Sequence, residues 1–189
     1  MGIHRDPEEI IRYNAEFAEK ASNFAKDHGM KVGYETGSRQ DLRRIFERFS
    51  SEEFGLNLDI GHTAMQGFDP SAMMEEWKDR LIEVHFNGVC HYWRGFMEHV
   101  PIYMNNALDY QEIIQKMKEI RFEGPIICEL QGNDIQQACE AALEARELIT
   151  KLSEGPLPKE KAKPWNLMKT LKSRSELRKG AERNLVEQP

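Results

Sequence analysis

Residues 55–62 read Gly-Leu-Asn-Leu-Asp-Ile-Gly-His. The short apolar run from Gly55 to Leu58 ends in the carboxylate of Asp59, a pattern that predicts a strand running into a loop. Asp69-Pro70 then caps a helix carrying Met73, Met74 and Trp77. Working outward, the same unit of strand, loop and helix recurs. Upstream, Met30-Lys31-Val32-Gly33-Tyr34-Glu35 predicts a strand, with Thr-Gly-Ser as its loop. Before it, residues 6–28 predict a helix capped by Asp6, with Pro7 at its first position and Glu9 completing a capping box. Ile10, Asn14, Phe17, Ala21, Phe24 and Ala25 repeat there at helical spacing, and Gly29 stops the helix.

Downstream, Leu81–Phe86 predicts a third strand, followed by a long loop and a helix capped at Asp109 with Glu112 three positions on. Pro125–Leu130 predicts the fourth strand. A final helix from about Asp134 to Leu152 presents Ala138, Ala141, Ala142, Ala145, Leu148, Ile149 and Leu152 on one face. Strands that alternate with helices imply parallel βαβ units, hence an α/β barrel or a doubly wound sheet. After Leu152, Gly155-Pro156-Leu157-Pro158 breaks the pattern. The expected domains are therefore 1–153 and a basic, flexible tail over 154–189.

The 189 residues suit one well-buried domain, and no apolar run approaches the roughly 20 residues that cross a bilayer. The N-terminus lacks the apolar core of a secretory signal, so the expected location is the cytoplasm. Cys90, Cys128 and Cys139 form no CxxC pair and read as reduced thiols. The net charge of −6 divides unevenly, because residues 151–189 hold ten Lys/Arg against five Asp/Glu and leave −11 on the rest. An acidic body argues against non-specific binding to phosphate backbones, and the basic tail reads as a solvated segment.

The four predicted strands end in Glu35, Asp59, His85 and Glu129. In parallel α/β folds the C-terminal strand ends converge on one face, where functional groups gather. A single carboxylate there is weak evidence, since most are caps or surface charges. Three carboxylates and one histidine in register need a cation to offset their repulsion. Three oxygens and one imidazole suit Mn²⁺ best, with Mg²⁺, Co²⁺ and Zn²⁺ as alternatives. An ion so held acts as a Lewis acid on two neighbouring substrate oxygens and stabilises enediolate-like charge.

The segments ETGSR, GLNLDIGH, LIEVHFNG, HVPIYMNNALDY and GPIICEL, in this order and spacing, resemble the second half of the xylose isomerase-like TIM-barrel superfamily. Its members include sugar phosphate isomerases/epimerases, ketose 3-epimerases and the endonuclease IV group (AP endonuclease family 2). The resemblance covers roughly residues 1–150 and implies a partial (β/α)8 barrel, strands five to eight. It places Glu35, Asp59, His85 and Glu129 on the shared metal ligands, with Glu35 and Glu129 also exchanging the substrate's carbon-bound proton, one on each face. His62 matches a histidine beside the substrate, or one that binds a further metal in the nucleases. His91 and His99 join it as expected substrate-binding residues.

The sequence departs from the family at His99-Val-Pro-Ile-Tyr-Met-Asn105, where Tyr103 and Asn105 replace two glycines of a tight substrate-covering loop. Met97 stands where the nucleases carry an Asp ligand. Cys128, beside Glu129, reads as a small core residue rather than a nucleophile. A whole barrel takes about 250 residues. Strands one to four are therefore expected from a truncated reading frame, from a complementary half-barrel, or from a second copy in a homo-oligomer. The resemblance implies a metal-dependent isomerase or epimerase acting on a small sugar or sugar derivative. The alternatives are an endonuclease IV-type hydrolase, with nucleic acid as partner, and a non-catalytic half-barrel.

Overall fold

The computed structural model describes residues 7–36, 39–52, 54–92, 95–132 and 134–156. Its centre is a parallel sheet of four strands, β1 (Val32–Glu35), β2 (Phe54–Asp59), β3 (Leu81–Phe86) and, after an intervening hairpin, β6 (Ile126–Cys128), in the order β1-β2-β3-β6. Helix α1 (Pro7–Asp27) leads into β1, and α2 (Arg39–Phe46) connects β1 to β2. Two short helices, α3 (Ile60–Met65) and α4 (Pro70–Glu76), connect β2 to β3, while α5 (Tyr110–Glu119) precedes β6 and α6 (Ile135–Glu154) follows it. The architecture is that of four consecutive units of a TIM barrel. Among the described residues β1 and β6 each pair on one side only. The tail expected from 154 lies almost wholly outside the described residues.

Strand β2 is buried at every position because helices cover one of its faces and neighbouring strands both of its edges. Phe54, Leu56 and Leu58 join Leu42, Ile45, Phe46, Met73, Met74, Val84 and Phe86 in the helix-covered core. On the opposite face a Cβ at Gly55 would come within 2.5 Å of Ile82 Cγ2, so the absence of a side chain at Gly55 is what admits Ile82. Arg80 ties the α2–β2 connection to β3, donating to the carbonyls of Phe46, Phe49 and Phe54 at 3.0, 2.6 and 3.3 Å. Asp69 and Asp109 cap α4 and α5 as expected, and Asp134 caps α6, each accepting backbone N–H groups of the first turn.

Three local expectations differ from the fold. The long loop after β3 is an antiparallel hairpin, β4 (Gly88–Tyr92) with β5 (Gly95–Val100), followed by a 3-10 turn over Ile102–Met104. Ile-Gly-His after Asp59 is not a loop: Asp59 itself caps α3, accepting from His62 N at 2.6 Å. Helix α1 packs through Ala15, Ala18, Ser22 and Ala25 against α2 and β1, leaving Phe17 73% and Phe24 60% exposed. Small side chains allow the close approach, and the bulky stripe lies on the outer flank.

The three cysteines are free. Cys90 is buried, Cys139 is exposed on α6, and burial pushes the half-buried Cys128 thiol up. Because the thiolate is the reactive form, iodoacetamide at pH 8 is expected to label Cys139 about tenfold faster than Cys90 or Cys128, with peptide mass mapping as the check. No helix among the described residues is long and apolar enough to cross a membrane.

Candidate metal centre

Strand geometry brings the four expected ligands together at the C-terminal edge of the sheet. Glu35 is the last residue of β1, Asp59 the last of β2, His85 the penultimate residue of β3, and Glu129 follows β6 directly. Asp59 pairs in register with His85, and Glu129 N donates to Phe86 O at 3.2 Å. Thr36 fastens β1 to β2 just below the mouth: its hydroxyl donates to Asn57 O at 3.2 Å and accepts from Asp59 N at 2.8 Å.

His85 Nδ1 sits at the middle of the cluster, 2.8 Å from Glu129 Oε2, 3.4 Å from Glu35 Oε1 and 3.9 Å from Asp59 Oδ2. One ligand atom from each of the four residues lies within 4.8 Å of the others. His85 Nδ1 and Glu129 Oε2 are buried and face each other at 2.8 Å without hydrogen-bond alignment, which is costly for polar atoms unless something else satisfies them. Converging lone pairs, three of them from carboxylates, fit a divalent cation.

Asp59 is wholly buried, so its charge depends on what surrounds it. Asn87 Nδ2 donates to Oδ2 at 2.7 Å and His62 N to Oδ1 at 2.6 Å. Asn87 was not singled out from the sequence. The available signal was its place two residues after His85, which on an extended chain returns to the same face. Tyr110 in turn donates to Asn87 O at 3.1 Å, and burial pushes its phenol far up, keeping it a neutral donor.

A second group overlaps the first at Asp59, because ligand atoms of Asp59, His62 and His99 also lie within 4.8 Å of one another. The rings of His62 and His99 are 5.0 Å apart. His62 Nδ1 is 3.7 Å from Glu35 Oε1, its Nε2 is 3.4 Å from Glu98 Oε2, and His99 Nε2 is 3.6 Å from Asp59 Oδ2. Glu98, absent from the sequence-based candidates, reaches the site because the hairpin folds back over the mouth. His99 holds a left-handed φ of 52° while its carbonyl accepts from Gln131 N at 2.7 Å. Strain of this kind persists where surrounding contacts enforce it, often at functional sites. His91 is exposed on β4 and lies edge-on to Phe96, with ring centroids 4.4 Å apart, and belongs to neither ligand group.

The segment without glycines is still a tight turn. The Asn105 side chain accepts from Val89 N at 3.2 Å and Leu108 N at 3.1 Å, and donates to Leu108 O at 2.8 Å. Its amide supplies contacts that organise the turn with Asn105 itself at an ordinary φ of −64°, where the family's glycine is absent.

A parallel βα array with metal-competent residues gathered at its C-terminal mouth has the architecture of half a TIM barrel. The chain belongs to the xylose isomerase-like TIM-barrel family, whose pattern matches residues 1–152. Among solved structures, a D-tagatose 3-epimerase-like protein is similar at 25% identity and TM-score 0.63, over 77% of this chain and 55% of that one. A D-allulose 3-epimerase from Methylomonas sp. is similar at 17% identity and TM-score 0.59, over 75% and 55%. A mannonate dehydratase from Streptococcus suis is similar at 14% identity and TM-score 0.62, over 82% and 54%. The chain thus spans a little over half the length of these structures. No curated protein matches its sequence.

Proposed function

We propose that the protein is a divalent-metal-dependent sugar isomerase or epimerase, moving a proton between carbon and a carboxylate of the site. The observation that carries this reading is the convergence of Glu35, Asp59, His85 and Glu129 on one point, within a family whose similar structures include sugar epimerases. Mn²⁺ is the favoured ion for three oxygens and one imidazole nitrogen. When bound, it supplies Lewis-acid polarisation of adjacent substrate oxygens.

The carboxylates divide the work by exposure. Asp59 is sealed and serves as a ligand, whereas Glu35 and Glu129 keep 48% and 41% of their side-chain surface open and flank His85 from different strands. Each can reach a substrate carbon, so one removes a proton from one face and the other returns it to the opposite face. His62, His99 and Glu98 offer polar atoms to sugar hydroxyls from the hairpin side. In a complete barrel of eight βα units the remaining wall of such a pocket is built by the other four. Three free thiols fit a reducing cytoplasm.

With Mn²⁺ supplied, the protein is expected to wash deuterium from D₂O into one carbon-bound position of a small ketose or sugar acid, read by ¹H NMR across a substrate panel. Absence of exchange in every substrate would defeat the proposal. The nuclease reading rests on the second group, Asp59, His62 and His99. Metal counting separates the two, since one ion per chain accords with the epimerase and a multinuclear zinc cluster with the nuclease.

A further inference from the structure

Within the metal-centre reading, the orientation of His85 is itself held by a residue that no ligand pattern includes. A nitrogen that ligates a cation must present a lone pair, so Nδ1, which faces the three carboxylates, carries no proton in the loaded site. The ring proton then belongs to Nε2. That atom lies 3.0 Å from Glu83 Oε1.

The geometry points to Glu83 as the positioning residue of the metal centre: its carboxylate accepts the Nε2 proton of His85 and fixes the ring's tautomer and direction. A carboxylate at this place also makes Nδ1 a better donor. Among the described residues the recorded ion pair of Glu83 is with His85, which sets it apart from the surface carboxylates paired with Lys or Arg. Asn57 completes the arrangement. Its Nδ2 lies 2.9 Å from His85 Nε2 while its buried Oδ1 has no partner. Interchanging the two amide positions, which are alike in shape, makes Oδ1 a second acceptor for the same proton.

Strand register supports the assignment independently. The β2–β3 pairing steps from Leu56↔Leu81 to Asn57↔Glu83, and this shift skips Ile82. Unbroken register would have set Ile82 opposite Asn57. The irregularity brings Glu83 opposite Asn57, two residue pairs before Asp59↔His85 and so on the same face of the sheet. Bulges beside active sites commonly re-aim a side chain in this way.

The test is Mn²⁺ affinity, read from the EPR signal of the free ion during titration of the protein. Glu83→Gln is expected to weaken binding about tenfold while the metal-free melting temperature stays at the wild-type value. Losing any nearby negative charge would also weaken a cation site, so the comparison is repeated in a His85→Gln background. There Glu83→Gln is expected to change affinity little, because its action runs through the ring. Wild-type affinity in Glu83→Gln, or an equal loss in both backgrounds, overturns the assignment alone. Failure of the unaltered protein to bind Mn²⁺ overturns it together with the metal-centre reading.

Discussion

Glu129→Gln is expected to lower the rate of substrate proton exchange by about 10²–10⁴-fold, the usual contribution of a positioned acid or base. Glutamine keeps the shape and one coordinating oxygen of glutamate but cannot accept a proton at neutral pH. Its Oε2 is the closest carboxylate atom to His85 Nδ1, so the substitution also weakens the cation site. The two effects separate if turnover is measured at Mn²⁺ concentrations where EPR shows the site filled. A large residual loss under those conditions is loss of the base. Full activity with the site filled would remove Glu129 from the proton path and leave it a ligand. Asp59→Asn supplies the contrast, since a sealed carboxylate can act only through metal affinity.

Phe86→Ala is expected to destabilise the protein by about 3–5 kcal/mol, the range for deleting a buried aromatic ring. Phe86 is fully buried beside Val84 and Leu58, and its ring lies 4.8 Å from that of Tyr110. Against the typical total of roughly 5–15 kcal/mol, such a loss consumes much of the margin. The measurement is the urea midpoint, which should fall with little change in slope. Leu143→Ala, at an exposed position on α6, serves as the control and should stay within about 0.5 kcal/mol. The core and site also meet at Phe86: its carbonyl holds Glu129 N, and its ring backs Tyr110, which donates to Asn87. A destabilised variant should therefore bind Mn²⁺ more weakly even where it remains folded.

Much of the fold was legible because its signals are local. Strand ends at Glu35 and Asp59 follow from short apolar runs halted by a charge. The caps at Asp69 and Asp109 follow from side chains that can accept a backbone N–H. The hairpin after β3 was not legible, since β4 and β5 exchange hydrogen bonds across a sequence that lacks a two-residue turn signature. Helix α2 is likewise weakly marked, since Leu42, Ile45 and Phe46 form only a short periodic core among charged residues. The packing side of α1 is hidden from a periodic reading because large apolar residues outweigh alanines there, whereas close helix contact favours small ones.

The sequence by itself determined the four strands of the parallel sheet, helices α1, α4, α5 and α6, the α/β class, and the four residues that a parallel sheet must bring to one edge. It could do so because strand ends are set by neighbours in the chain. Tertiary structure alone decided how those residues are supported. Asn87 reaches Asp59, Glu83 reaches the far side of His85, and His62 and His99 lean over the mouth with Glu98. Each of these contacts depends on strand register or on the hairpin's fold, which are fixed by packing between distant segments. The first feature read, Asp59 at the end of GLNLDIGH, shows both origins: the sequence placed its carboxylate, and the surrounding structure buried it.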